Sequence, residues 1–559
     1  MAFDKCKSFF YKHTLKRTVR KNLIGKPGIK SRQSLLLVLF GLVLIPLYAQ
    51  HRLETKIPSL PHEKWWGGFV GIADQMPFDS NTRLYDLATE NFNNQNVPLF
   101  LSSKGRYIWC ENPFSFQMKN DTLIILSQYE KAEVVQAGNN LKDAYLTAAQ
   151  NHFPATGTIP EAVFFSQPQY NTWIELMYNQ NQQDILNYAY KVMENGFPTG
   201  IFMVDDNWQR YYGNFDFKAE KFENPETMMD ELHRMGFKIM LWVCPFITAD
   251  TPEFREMESK GYLIKTKDGR KTAIVNWWNG YSACLDVSNP EAAGYFKELL
   301  KQTQERYGVD GFKFDAGDVS YMQGEYRFYD ESANLNIFSQ RWAELALDFP
   351  YNELRTTWKT GGQPLVQRLG DKSYSWHSNK LLIPGMTVAG LFGFAYACPD
   401  MIGGGSYKSF LDIGESSLDE ELIVRSCQIH AMMPMMQFSV APWRVLSKKS
   451  MEICAYFARL HEQMGDYILE YARNASMTNE PIVRSMEYQY PDQGFIHCKD
   501  QFMLGDRYLV APMIEKGYKR TIQLPKGKWK DDRGKTHKGP QTIEVDVPIE
   551  RLPYYELIK

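Results

Sequence analysis

The 559-residue chain lacks the side-chain groupings on which most enzyme chemistries depend. It has no HExxH and no CxxC, and its ten His are dispersed, so no zinc site is expected. It has no GxSxG elbow, which argues against a serine hydrolase of that type. No GxGxxG or Walker sequence follows a predicted strand, so no cradle for nucleotide phosphates is expected either. Cysteine is scarce: Cys6 stands near the start, and seven others are scattered, mostly in apolar runs. An odd, scattered set in apolar surroundings reads as buried free thiols, not as a disulfide framework. No stretch is rich enough in Pro, Gly or Ser to form a linker or a repeat array. Excess charge is missing too: a net charge of -2 offers no surface for nucleic acid.

That small net charge hides an asymmetry. Residues 1–33 carry ten Lys or Arg against one acid, a local +9, so a total of -2 leaves -11 on the remainder. The basic start leads into residues 35–48, fourteen positions without a charge and with Pro46 near the end. A spanning helix needs roughly 20 apolar residues. A basic region followed by a short apolar one fits a secretory signal cut after Ala49, or an uncleaved signal anchor. Residues 1–49 are therefore read as signal peptide or anchor. The body of the chain is expected to be exported, with the membrane as a partner only through residues 35–48.

With 44% hydrophobic and 14% aromatic residues, a large core is readily built. Residues 50–164 read as short strands and turns, an amino-terminal β-sandwich. From about 165 the rhythm changes to short apolar runs alternating with amphipathic, helix-length segments. Strands are predicted at 172–178, 201–205, 238–245, 311–316, 354–359, 365–369, 393–398 and 435–439. Helices lie between them, one over 184–194 and others opened by Asn224-Pro225 and Asn289-Pro290, cap and first residue. Eight strand–helix alternations predict a (β/α)₈ TIM barrel over 165–477, against an open doubly wound sheet as the alternative. Residues 478–559 return to short strands, a carboxy-terminal β-sandwich. The fold class is α/β, a barrel flanked by two β-rich domains.

In such barrels chemistry sits at the carboxyl ends of the strands. Those ends carry Asp205-Asp206, Asp315 with Asp318 close behind, Arg355, Asp371 and Asp400. A single Asp at a strand end is as readily a helix cap or turn former, but several converging on one crater point to paired-carboxylate chemistry. Trp173, Trp242, Trp277, Trp278 and Trp376 lie near the same ends, as barrel packing or as flat faces for a sugar ring. Two carboxylates with aromatic neighbours suit glycoside hydrolysis, one attacking the anomeric carbon and the other protonating the leaving oxygen.

The stretches FKFDAGD (312–318), QRLGD (367–371) and PDMIGG (399–404) resemble the nucleophile, acid/base and D-I-G-G segments of glycoside hydrolase family 31. The tail, with EPIVRSMEY (480–488) and GDRYLVAP (505–512), is similar to that family's barrel exit and carboxy-terminal domain. The resemblance implies a retaining α-glycosidase with Asp315 as nucleophile and Asp371 as acid/base. It further implies Asp205 and Lys313 as ligands of sugar hydroxyls, Arg355 as support for the acid/base region, and Asp400 as the acid of the D-I-G-G segment. Trp173 and Trp278 match pocket aromatics. Asp206, Trp242 and Arg368 complete the candidate substrate-binding set. VDDNWQ (204–209) and WWNG (277–280) most resemble a branch with α-galactosidase-like specificity, whose animal members are anchored near the amino terminus.

Three positions depart from the family pattern. Asp318 stands where a Glu is common, and Arg368 where an aromatic is common. QFSVAPW (437–443) lacks the His that many members carry after the eighth strand, which favours the galactoside branch. The expected partner is an oligosaccharide or glycoside, with no metal or cofactor. An α-glucosidase, α-xylosidase or transglycosylase on the same scaffold is the alternative. A carbohydrate-binding pseudoenzyme is the alternative of another class, and it would be expected to have lost Asp315 or Asp371.

Overall fold

The computed structural model describes residues 52–78, 81–322, 324–411 and 418–558. The signal or anchor assigned to residues 1–49 lies outside the described residues. Arg52–Lys559 forms one compact unit. Among the described residues no helix is long and apolar enough to cross a membrane.

The amino-terminal part consists of two four-stranded antiparallel sheets. In one, Leu53–Pro58 pairs with Thr122–Ser127, which in turn pairs with Ser115–Lys119. Thr122–Ser127 alternates half-buried and buried residues, as a strand with one solvated face must. The other sheet is built around Asn96–Ser102, which is buried along its whole length. Aromatic side chains fill the space between, with Phe100 and Phe116 edge to face at 4.8 Å.

The barrel strands are Gln169–Asn171, Ile201–Val204, Lys238–Val243, Gly311–Phe314, Tyr351–Leu354, Gln367–Arg368, Ala397–Cys398 and Gln437–Phe438. They form one parallel sheet in sequential order, with the eighth strand paired to the first. Between the seventh and eighth, a Met401–Gln437 bridge nearly closes the cylinder.

Local sequence explains the helices. Asn224 and Asn289 cap with their side chains, each followed by Pro at the first helical position. Pro290–Tyr307 ends at Gly308 in the left-handed region. Asn181 caps Gln182–Glu194, which starts that helix two residues earlier than predicted.

The strand predicted at 172–178 is a correction. The first strand is Gln169–Asn171, and Thr172–Leu176 is helical because the Asn171 side chain accepts from Trp173 N and turns the chain out of the sheet. The fifth strand, too, ends at Leu354, earlier than the predicted 354–359, and Lys359 takes a positive φ of 56° in the turn that follows.

Beyond the 31-residue helix Lys448–Thr478, the chain forms a six-stranded antiparallel sheet. Its backbone is the hairpin Lys519–Asp531 with Thr536–Asp546, packed through fully buried Trp529. The cysteines among the described residues are free thiols, all but half-buried Cys498 fully buried.

Candidate active site

A cavity of about 390 Å³ opens at the carboxyl ends of the barrel strands. Asp205, Asp206, Trp173, Trp242, Trp278, Lys313, Asp315, Arg355 and Asp371 all line it.

Asp315 follows the fourth strand directly. Its backbone leaves the ladder sharply, with Ala316 at φ 60° and Gly317 at φ 81°. A Cβ on Gly317 would stand 2.5 Å from the Trp342 ring, so this turn requires glycine. Oδ1 of Asp315 accepts from Arg355 Nε at 3.0 Å and from Ala316 N at 2.8 Å, while Oδ2 accepts from Trp242 Nε1 at 2.9 Å. Burial alone would raise its pKa. The Arg355 guanidinium, then Lys313, Arg368 and the Trp242 N–H, outweigh burial and hold it well below the usual carboxylate range. Arg355 grips Asp318 with its other nitrogens, at 3.1 and 2.6 Å. The shorter Asp318 thus reaches the guanidinium directly.

Lys313 points up from the fourth strand and donates to Asp205 Oδ2 at 2.6 Å, both side chains buried. Beside them Asp206 accepts from Tyr212 Oη and from Asn279 Nδ2 at 2.8 Å. Burial and then the charge of Asp205 push its carboxyl up to about 7. Trp278 is 40% exposed, with its ring edge to face with Trp277 and Tyr321. Trp173 is held by a bond from its Nε1 to Gly405 O at 2.9 Å.

Asp371 faces the cavity with its side chain 39% exposed, and its Oδ1 accepts from Arg368 Nη1 at 2.8 Å. The same guanidinium nitrogen donates to Asp400 Oδ1 at 2.9 Å. Gly405 makes this arrangement fit, since a Cβ there would lie 2.8 Å from Asp400 Oδ1 and 2.9 Å from Asp371 Oδ1.

Arg368 and Asp400, expected as sugar ligands, do not line the cavity. Both are fully buried behind its wall, and Asp400 is further bonded by Lys372 N and Gly405 N. Their charges meet one another within the protein, and Arg368 links Asp400 to Asp371. Trp277 lies buried behind Trp278, and Trp376 bonds Asp419, away from the cavity.

Sequence reading missed Asn93, Tyr321, Ser406, Tyr407 and Lys408 in the lining. Tyr321 lies one turn beyond Asp318, and 406–408 start two positions beyond the D-I-G-G-like segment, so a wider window around those motifs would have found them. Asn93 comes from the amino-terminal part, where only the amide-rich run NFNNQN (91–96) gave a signal. Buried Glu353, which accepts from Gln437 Nε2 and faces Arg368 at 3.3 Å, was also unforeseen. Among the described residues no group of three or more His, Cys, Asp or Glu is placed to hold a metal ion.

Two sequence profiles match the chain: the glycosyl hydrolases family 31 TIM-barrel domain over residues 165–471, and that family's C-terminal domain over 479–556. The myogenesis-regulating glycosidase of Mus musculus is 30% identical over 425 residues, 74% of this chain and 59% of that protein. The alpha-xylosidase XylQ of Lactiplantibacillus pentosus is 22% identical, over 81% of this chain and 62% of that protein. The chain thus spans about three-fifths of the length of these two relatives. Among solved structures, the Flavobacterium johnsoniae GH31 dextranase superposes with a TM-score of 0.78 at 20% identity, covering 90% of this chain and 66% of that one. A GH31 alpha-xylosidase from a soil metagenome gives 0.78 at 21% identity, covering 91% and 79%.

Proposed function

The chain belongs to glycoside hydrolase family 31, and from that premise we propose that it is a retaining α-glycosidase acting on terminal α-galactosides. The observation that carries the reading is the environment of Asp315, a carboxylate kept ionised by Arg355 and Lys313 in the same cavity that Asp371 faces half-exposed. A nucleophile must be charged at working pH, and an acid/base must reach both the leaving oxygen and water.

In the first step Asp315 forms a bond to the anomeric carbon while the glycosidic C–O bond breaks. The leaving oxygen takes the proton of Asp371. Oδ1 of Asp315 already accepts two N–H bonds and Oδ2 one, which leaves Oδ2 the freer lone pair for attack. In the second step Asp371 removes a proton from water. The water oxygen displaces Asp315, and the sugar leaves with its original configuration. Asp205, Lys313 and Asp206 line the cavity and are positioned to bond ring hydroxyls.

The galactoside preference is supported by the half-exposed Trp278 ring beside Arg355 and by the absence of a His after the eighth strand. A second reading, an α-xylosidase, is favoured by relatives of that name. Measuring kcat/KM on the 4-nitrophenyl α-galactoside, α-glucoside and α-xyloside separates them, and a clear preference for either of the latter refutes the galactoside assignment. NMR of the first-formed sugar should show the α-anomer, and the β-anomer would refute retention. Export of the body, with residues 35–48 as signal or anchor, is part of the same proposal, and cell fractionation tests it.

A further inference from the structure

We infer that residues 91–96, a polar segment of the amino-terminal sheets, act as a positioning element for the acid/base, and this rests on the assignment of Asp371 proposed above. The fifth and sixth barrel strands pair at a single register position, Leu354 with Gln367. The next carbonyls along the chain, Arg355 O and Arg368 O, belong to buried residues, where a donor is required. Gln95 supplies it to both: its Nε2 donates to Arg355 O at 2.6 Å and to Arg368 O at 3.0 Å. The amide of a side chain from another part of the fold thus completes the ladder.

Its neighbours reach the same region. Asn94 Oδ1 accepts from Gly370 N at 2.8 Å, the residue just before Asp371, and its own amide is steadied by donation to Phe92 O at 2.7 Å. Asn91 Nδ2 donates to Asp318 Oδ1 at 2.9 Å, the acid that Arg355 also holds. Asn96 N donates to Thr357 O at 3.1 Å. The approach is close enough that a Cβ on Gly370 would stand 2.3 Å from Asn93 O. Phe92 and Asn93 both take positive φ, 51° and 54°, a strained pair that persists only where surrounding contacts fix it. Of these residues only Asn93 lines the cavity, so Asn91, Asn94 and Gln95 act through the groups they hold.

A displacement of about 1 Å at a catalytic group can cost ~10²-fold in rate. Asn94→Ala removes the acceptor for Gly370 N and so frees the peptide that carries Asp371. Asp315 keeps its bonds to Arg355, Ala316 and Trp242. Proton donation matters in proportion to how poor the leaving group is. The test compares kcat/KM for the 4-nitrophenyl and methyl α-glycosides of the sugar that the wild-type enzyme cleaves. Asn94→Ala is expected to lose about tenfold more on the methyl glycoside than on the aryl one, a part of the ~10²–10⁴-fold that complete loss of general-acid catalysis costs. The ratio of the two is taken on one preparation, so the folded fraction cancels, and the milder Asn94→Ser provides the same reading. Equal losses on both substrates would make Asn94 a purely structural residue and overturn the inference. Equal losses in Asp371→Asn would instead overturn the acid/base assignment beneath it.

Discussion

Replacing Asp206 with Asn should stabilise the protein, relative to the wild type, more at pH 8 than at pH 5. The Asp206 carboxyl is pushed from 3.8 up to about 7, chiefly by burial and next by Asp205, against the bonds from Tyr212 and Asn279. A raised folded pKa means that the native state holds its proton while the unfolded chain has released it. The favourable contribution is therefore complete below pH 3.8 and is lost as pH rises through about 7. At about 1.36 kcal/mol per unit, the whole effect comes to roughly 4 kcal/mol, of which roughly 2–3 kcal/mol develops between pH 5 and pH 8. Asn is neutral throughout and keeps a carbonyl oxygen for Tyr212 and Asn279. The assay is urea unfolding of both proteins at the two pH values. Asp318, Glu353 and Asp400 are also pushed up by burial, but they are common to both proteins, and their effect cancels in the difference. A gap between variant and wild type that is equal at both pH values, or narrower at pH 8, refutes the reasoning.

Three further outcomes follow from the site. Asp315→Asn and Asp371→Asn should each fold normally by circular dichroism and lose at least ~10²-fold in turnover of an unactivated α-glycoside; near-normal turnover by either removes it from the mechanism. In Asp371→Ala, azide should restore cleavage of the 4-nitrophenyl glycoside, whose leaving group needs no proton, with an α-glycosyl azide visible by NMR; no response to azide would leave Asp371 only a structural role. Trp278→Ala, which deletes a ring 40% exposed at the cavity, should lower kcat/KM for the α-galactoside more than for the α-glucoside, and equal losses would show that the ring does not read the C4 hydroxyl.

The residues lining the cavity were readable where local pattern and chemistry coincide. A short run with alternating Phe that ends in Asp, as at 311–315, signals both the strand and the direction of its last side chain. Asn-Pro pairs marked two helix starts because capping and φ restriction are local effects. The errors have equally physical sources. Residues 172–176 carry strand-like apolar residues, but the Asn171 side chain competes for the backbone and wins. Arg368 and Asp400 stand at strand ends like the others, yet sequence carries no measure of depth, and their mutual ion pair closes them off from the cavity. Gln95 bonds carbonyls 260 and 273 positions away, a relation that no periodicity encodes.

That last relation bears on how such a protein can be inherited. The barrel begins near residue 165, and its strands and helices look like a self-contained cassette that recombination could move between genes. Moved alone, it would arrive with Arg355 O and Arg368 O lacking their amide donor, Gly370 N lacking its acceptor, and Asp318 lacking one of its partners. A gene fusion that joined the barrel to a foreign amino-terminal domain would thus inherit the two aspartates without part of the frame that holds them. A segment that keeps all of these contacts reaches back at least to Asn91.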